Sequence, residues 1–247
     1  MTDCLLLFSG GLDSMLAAAK LVCSGNRVHL LCCNNGSIVH EEIFQHGVKR
    51  LQNRFGDKVQ FEGTVSTMHS MQRMRIKMDT LTAQQASRLY PNVRYAQFQC
   101  TICQTCMWIE ALAVAKARGY TCVASGYKRS DDFCTGHVRY KRFVQTMCAV
   151  EQIDLALPLV TAGVHDDEEL LLYSIMPRVY EPKCSIGLPC AKITCDEIDQ
   201  IIKYIEENVD IHDMICEQCR HYKVIPEIGT ESLLSIDYPT DPKRGLY

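Results

Sequence analysis

Along the first half of the chain, short solid apolar runs alternate with longer stretches whose apolar positions recur at helical spacing. "CLLLF", residues 4–8, reads as a strand buried on both faces. "DSMLAAAKLVCSG", residues 13–25, reads as a helix closed by Gly25, and "RVHLLCC", residues 27–33, as a second strand. Together they predict a βαβ unit with a right-handed crossover. "HEEIFQHGVKRLQNRFG" predicts a second helix and "VQFEGTV" a third strand, while "CMWIEALAVAKARG" predicts a helix ending at Gly119 that feeds the strand and turn "YTCVASG". Strands alternating with helices predict an α/β fold, a parallel twisted sheet with helices on both faces, and ligands at the carboxyl ends of its strands.

Later segments add detail. Met68, Met71, Met74 and Met78 recur at helical spacing, as in a core stripe. Thr194 and Glu197 have the spacing of a capping box, followed by an apolar face of Ile198, Ile201, Ile202, Ile205 and Val209. That helix either packs on the main domain and carries Cys216 and Cys219 toward it, or covers a sheet edge. The expected organisation is a ligand-binding α/β domain over 1–175 and a small, cysteine-bearing helical extension over 176–247.

Length and charge narrow the function. A chain of 247 residues can bury a substantial core, and a net charge of −3 places any nucleic-acid contact on a local patch. No uninterrupted apolar run has the length of a membrane span, which requires roughly 18 residues. Ser9, Gly10, Gly11 and Asp13 break the opening run, which does not read as a signal peptide, so a cytoplasmic protein is expected. Fifteen cysteines, an odd number with Cys32 and Cys33 adjacent, make a poor disulfide framework. Cys4, Cys23, Cys32, Cys33, Cys122 and Cys148 are expected as buried small hydrophobes.

The turn "SGGLDS" falls between the first strand and the first helix, where helix-terminal N–H groups and the macrodipole favour an anion. Gly10 and Gly11 allow close backbone approach and Ser9 and Ser14 add hydroxyls, so the turn suits phosphate; a capped tight turn explains the same residues. Neither G-x-x-x-x-G-K-[ST] nor G-x-G-x-x-G is present. "FSGGLDS" resembles the pyrophosphate loop of the PP-loop ATP pyrophosphatases, whose fold is Rossmann-like and adenine nucleotide alpha-hydrolase-like. The resemblance covers roughly residues 4–160. It implies that Ser9, Gly10, Gly11, Leu12, Asp13 and Ser14 hold pyrophosphate, with Asp13 beside the phosphates and Mg2+, and that ATP is cleaved between its α and β phosphates to adenylate a carbonyl oxygen. By the same resemblance Asn35 and Gly36 form a wall near adenine. "VASGYKRSDDF" resembles the aspartate turn of the tRNA-thiolating branch, with Tyr127 where that branch often has histidine; it nominates Gly126, Lys128, Arg129, Asp131 and Asp132, or is a polar surface turn.

The grouped cysteines bear on the nucleophile. "QCTICQTCMWIEAL" places Cys100, Cys103 and Cys106 at and just before the expected helix start, where the dipole favours thiolate. With Cys184, Cys190 and Cys195, and Cys216 and Cys219 downstream, a structural zinc site from two C-x-x-C pairs is open, as are redox chemistry and sulfur carriage. The segment "CTICQTCMWIEALAVAKARGYTCVASGYKRSDD" is similar to that of cluster-dependent tRNA 2-thiolation enzymes. This implies that Cys100 and Cys103, with Cys184 or Cys216, hold a 4Fe-4S iron–sulfur cluster; Cys106, Cys190 and Cys219 exceed that pattern and leave Zn2+ open.

Arg73, Arg75, Lys77, Arg88, Arg94, Arg139, Lys141 and Arg142, with Tyr90, Tyr95 and Tyr140, offer a local basic and aromatic set for RNA, or ordinary basic helix faces. The expected function is ATP-dependent replacement of a nucleobase carbonyl oxygen by sulfur, in tRNA or in a nucleobase-like small molecule. Catalysis falls to Asp13, Cys100 and Cys103, and a sulfur-donor protein and a homodimer remain open. A zinc-containing ligase resembling 7-cyano-7-deazaguanine synthase, using ammonia on the way to queuosine, is the alternative enzyme; "CTIC" in place of that family's Arg-Asn stretch favours sulfur. A non-catalytic ATP-binding module with structural zinc is the alternative outside enzymes.

Overall fold

The computed structural model describes residues 2–36, 38–39, 42–77, 93–128, 133–160, 166–175, 183–184 and 192–225. Strands β1 (Asp3–Leu7), β2 (Arg27–Asn34), β4 (Val59–Ser66), β5 (Cys122–Ser125) and β6 (Asp154–Ala156) form a five-stranded sheet of order β4-β2-β1-β5-β6. All four pairings are parallel, with Leu5 opposite His29 on one side and Val123 on the other. A short antiparallel pair joins β3 (Ile38–Val39) to β7 (Lys183–Cys184). This is the predicted parallel α/β fold.

Because successive strand residues point to opposite faces, the solid apolar strands feed two cores. Leu5, Leu31, Cys33, Val65 and Val123 face one side, against α3 (Met68–Lys77), α4 (Tyr95–Arg118), α5 (Val138–Val150), α7 (Cys195–Asn208) and α8 (Ile211–Val224). Cys4, Leu6, Leu30, Cys32 and Ala124 face the other, against α1 (Leu12–Cys23), α2 (Glu42–Phe55) and α6 (Asp166–Leu172). Leu5, Leu6, Leu30 and Leu31 are fully buried, each burial contributing about 1.5–3 kcal/mol relative to exposure. Cys23 departs from its expectation: it is exposed at the last position of α1.

Helix α4 corrects the expected boundary. It runs through 24 residues from Tyr95, so Cys100, Cys103 and Cys106 lie inside it and not at its entrance. In its polar first half the buried hydroxyls are satisfied within the helix: Thr101 donates to the Gln97 carbonyl and Thr105 to the Thr101 carbonyl, both at 2.8 Å. Ala96–Arg118 is also long and apolar enough to cross a membrane, which the run-by-run reading missed; 83% of an 18-residue stretch of it is buried inside the protein, as befits a core helix.

The C-terminal helices share the core with α4. Thr194 and Glu197 form the predicted capping box, and Ile198, Ile201, Ile202, Ile205 and Val209 are buried. Met71 and Met74 are core residues as expected, whereas Met68 is exposed and Met78 lies outside the described residues. Glu110 on α4 accepts hydrogen bonds from Ser70 and, at 2.6 Å, from Tyr222, tying α3 and α8 to one carboxyl group. Burial pushes the Glu110 carboxyl above the usual carboxylate range.

Candidate active site

The carboxyl ends of β1, β2 and β5 converge on one place. After β1 the chain turns through Gly10, whose φ of 78° lies in the left-handed region that suits glycine. The helix starts at Leu12 with Gly11 as its N-cap. Ser14 Oγ donates to the Gly11 carbonyl at 2.9 Å, the Gly11 N–H donates to Ser9 Oγ at 3.3 Å, and the two serine hydroxyls are 3.3 Å apart. These bonds fold the serines inward around a helix N-terminus, an arrangement suited to an anion.

The turn after β5 closes on that loop. A Cβ built on Gly126 would lie 2.8 Å from the Asp13 carbonyl carbon and oxygen and 3.0 Å from the Ser14 nitrogen, so only glycine allows this approach. Two residues on, Lys128 Nζ lies 2.5 Å from Asp13 Oδ1. The two turns together thus present a carboxylate suited to a hydrated divalent cation and an ammonium suited to phosphate oxygens. Arg129, Asp131 and Asp132 lie outside the described residues.

The thiols of α4 reach the same end of the sheet. Asn35, at the end of β2, donates from Nδ2 to Cys103 Sγ at 3.1 Å, and Gly36 turns with φ 74° while its N–H donates to Asn34 Oδ1 at 2.8 Å. Asn35 therefore addresses a thiol of the C-x-x-C pair. Cys100 is hydrogen-bonded to Cys134, in the 3-10 turn Cys134–Gly136 beyond β5. This bond holds the Cys100 thiol below its ordinary value, while it and burial push Cys134 well up. Tyr127 lies between loop and thiols: its hydroxyl accepts from Trp108 Nε1 at 2.8 Å and donates to Gln104 Oε1 at 2.9 Å. Burial keeps that phenol protonated, its pKa pushed well up.

Cys134 was missed from the sequence. Its only signal was its place after the aspartate turn, and it lacks the C-x-x-C spacing that drew attention to the others. Cys106 is a core thiol, 3.5 Å from Met74 Sδ.

The expected shared site of Cys100 and Cys103 with Cys216 and Cys219 is not formed. Cys216 Sγ lies 3.7 Å from Lys116 Nζ, and Lys116 is sixteen residues beyond Cys100 on α4, about 24 Å at helical rise. Cys184 lies on β7 in register with Ile38, and Cys190 lies outside the described residues. Among the described residues no group of three or more His, Cys, Asp or Glu side chains is arranged to hold a metal ion. Among the described residues the thiols by themselves therefore complete neither an iron–sulfur cluster nor a four-cysteine zinc site.

Among the described residues, four of the eight basic residues nominated for RNA make internal contacts. Arg73 pairs with Glu217, Arg94 with Glu197 and Arg139 with Glu206, while Lys141 donates to the Gly136 and Lys128 carbonyls. Tyr140 is buried, Arg142 is exposed, and Arg88 and Tyr90 lie outside the described residues.

Comparison with known proteins agrees with this geometry. Residues 1–130 match the family described as Thiamine biosynthesis protein (ThiI). No curated protein matches the chain. Among solved structures, NMN synthetase from Francisella tularensis is similar with a TM-score of 0.52 and 15% identity, covering 90% of this chain and 84% of that one. The predicted subunit of tRNA methyltransferase from Methanocaldococcus jannaschii DSM gives a TM-score of 0.49 and 18% identity, covering 83% and 89%. At 15% identity, the synthetase likeness speaks for the α/β fold alone.

Proposed function

This chain belongs to the ThiI family of PP-loop ATP-using proteins, and on that premise we propose that it is a cytoplasmic enzyme that replaces a carbonyl oxygen of a tRNA nucleobase by sulfur. ATP with Mg2+ supplies the adenylyl group that turns the carbonyl oxygen into a leaving group, with release of pyrophosphate. Ser9 to Ser14 hold the phosphates through the helix N-terminus and the serine hydroxyls. Lys128 balances the negative charge that builds on the phosphates, and Asp13 orients the cation. Gly126 keeps the two turns in contact.

The sulfur side of the reaction falls to the thiols of α4. Cys100 is the nucleophile, its thiolate favoured by the hydrogen bond with Cys134: it displaces AMP from the adenylated carbon to form a base–S–Cys100 bond, and sulfide then attacks that carbon, displaces the Cys100 thiolate and leaves the carbon–sulfur double bond. Cys103, held by Asn35, lies one turn further along the same helix. The observation that carries the reading is the Lys128–Asp13 contact at 2.5 Å, which joins the phosphate loop to the turn preceding Cys134.

The test is incubation of the purified protein with ATP, Mg2+, sulfide and an unmodified tRNA transcript, followed by mass spectrometry of the digested nucleosides. A nucleoside with sulfur in place of oxygen, absent without ATP and absent with Asp13→Asn, supports the proposal. ATP turnover to AMP with no thiolated nucleoside in a full set of transcripts would sink the sulfur assignment and leave the ATP chemistry standing.

A further inference from the structure

Among the described residues two cysteine–histidine pairs lie outside the site described above, and their hydrogen bonds place the imidazole proton on opposite nitrogens. At the first position of α7, Cys195 Sγ is 3.3 Å from His137 Nε2. His137 Nδ1 accepts the Arg139 N–H at 3.2 Å, so Nε2 carries the ring proton and points it at the sulfur. That imidazole is a donor. On α8, Cys216 Sγ is 3.6 Å from His212 Nε2, and His212 Nδ1 is 2.6 Å from Glu151 Oε1. A carboxylate at Nδ1 places the proton there, which leaves the Nε2 lone pair facing the thiol. That imidazole is a base.

The surroundings complete a nucleophile. The Glu151 side chain is 1% exposed and fixed at the C-cap of α5, whereas the His212 side chain is 58% exposed and open to solvent. Thiol, base and orienting carboxylate follow the order of a catalytic triad. Lys116 Nζ donates to Glu151 Oε2 at 2.5 Å and lies 3.7 Å from Cys216 Sγ. Its hydrogen bond with Glu151 raises Lys116 above the ordinary lysine value, so it stays a cation. A cation here opposes a metal ion at the thiol. Cys219, one turn on, is buried.

We infer that Cys216, His212 and Glu151 form a second nucleophilic site, separate from the ATP loop, that attacks the electrophilic divalent sulfur of small disulfides or persulfides. His212 Nε2 takes the Sγ proton, the sulfur lone pair attacks one sulfur of the S–S bond, and that bond breaks. The departing thiolate takes the proton back from the imidazolium. With a disulfide RSSR the products are the Cys216–S–SR mixed disulfide and RSH; the cysteine is oxidised and the small disulfide reduced, with no further reagent. Exchange at sulfur needs only a thiolate, an open approach and a proton for the leaving group. An acyl substrate would also need donors aimed at an oxyanion, and Lys116 is already bonded to Glu151. A persulfide attacked at its outer sulfur would leave Cys216 as a persulfide.

The test uses the full chain, reduced and desalted, exposed at neutral pH to limiting oxidised glutathione, quenched by alkylation and mapped by mass spectrometry. Cys216 is expected to form the mixed disulfide at least about tenfold faster than exposed Cys23 or Cys195. His212→Asn should bring Cys216 down to the Cys23 rate while leaving Cys195 unchanged, and Glu151→Gln should lie between. Equal wild-type rates at Cys216 and Cys23 would overturn the inference whatever the variants do. An unchanged Cys216 rate in a folded His212→Asn protein would also overturn it, as would stoichiometric zinc that is lost on Cys216→Ser.

Discussion

Lys128 Nζ and Asp13 Oδ1 are 2.5 Å apart, an ion pair that bridges the turn after β5 and the first turn of α1. Both side chains are partly exposed, so the pair contributes little to stability, about 0–1 kcal/mol. Its value lies in placing both charges beside the loop. Asp13→Asn and Lys128→Met are each expected to lower AMP formation from ATP by about 100-fold or more, with melting temperatures close to wild type. Circular dichroism melts and chromatographic separation of the nucleotides check both halves of that expectation.

Gly126 gives a steric counterpart. An alanine there would push a methyl carbon to 2.8 Å from the Asp13 carbonyl, and the neighbour is backbone that cannot turn aside. Gly126→Ala should therefore part the two turns, costing about 1–3 kcal/mol and most of the ATP turnover. Gly25→Ala is the control. Its φ of 89° strains an alanine but nothing lies within 4 Å, so about 1–2 kcal/mol should be lost with turnover retained. Denaturant titration and initial rates on the two variants separate the cases.

How much of this was legible in the sequence depended on periodicity. β1, α1, β2, α2, β4 and β5 could be read because solid apolar runs and helix-spaced runs alternate, and the loop followed from Gly10, Gly11 and the flanking serines. The start of α4 could not, because Gln97, Gln99, Thr101, Gln104 and Thr105 look like loop residues until the burial of Gln97, Gln99, Thr101 and Thr105 and the contacts of Gln104 with Tyr127 and of Thr105 with Tyr140 are seen. Spacing alone made Cys100 and Cys216 look like partners; the length of α4 keeps them apart. Cys134 is recognisable only through its contact with Cys100. Charge in sequence also does not disclose an internal partner, such as Glu197 for Arg94.

The hydrogen bond between Cys100 and Cys134 makes a separable forecast. Cys134→Ala removes the group that holds the Cys100 thiol below its ordinary value, so Cys100 should be less ionised at neutral pH. Its iodoacetamide alkylation should slow in the variant, followed peptide by peptide at a series of pH values. Cys100→Ser should abolish thiolation of tRNA yet retain adenylation of the tRNA with release of pyrophosphate, since the phosphate loop contains no cysteine. Loss of both activities in a folded Cys100→Ser protein would count against the division of labour between loop and thiols.

Arg94 and Glu197 set part of the acid response. Arg94 Nε and Nη2 each lie 2.7 Å from the carboxylate, and with the Thr194 N–H at 2.9 Å they hold the Glu197 carboxyl down to about 2. The unfolded chain has the ordinary value, 4.5. A depressed carboxyl binds fewer protons when folded, so its stabilisation is fully present above the unfolded value and is lost as the pH falls toward 2. Glu197→Gln should therefore lower stability at pH 7 by about 1–3 kcal/mol and flatten the fall between pH 4.5 and 2. Urea unfolding across that range reads both effects.

The central claim is that the loop at residues 9–14 uses ATP as a pyrophosphatase, and the products of ATP turnover test it most directly. Purified protein is given α-labelled ATP, Mg2+ and unmodified tRNA with sulfide, and the nucleotides are separated. AMP with an equal amount of pyrophosphate, dependent on the tRNA and lost in Asp13→Asn, is the result expected. ADP with inorganic phosphate, or AMP formed equally well by Asp13→Asn, would contradict the account.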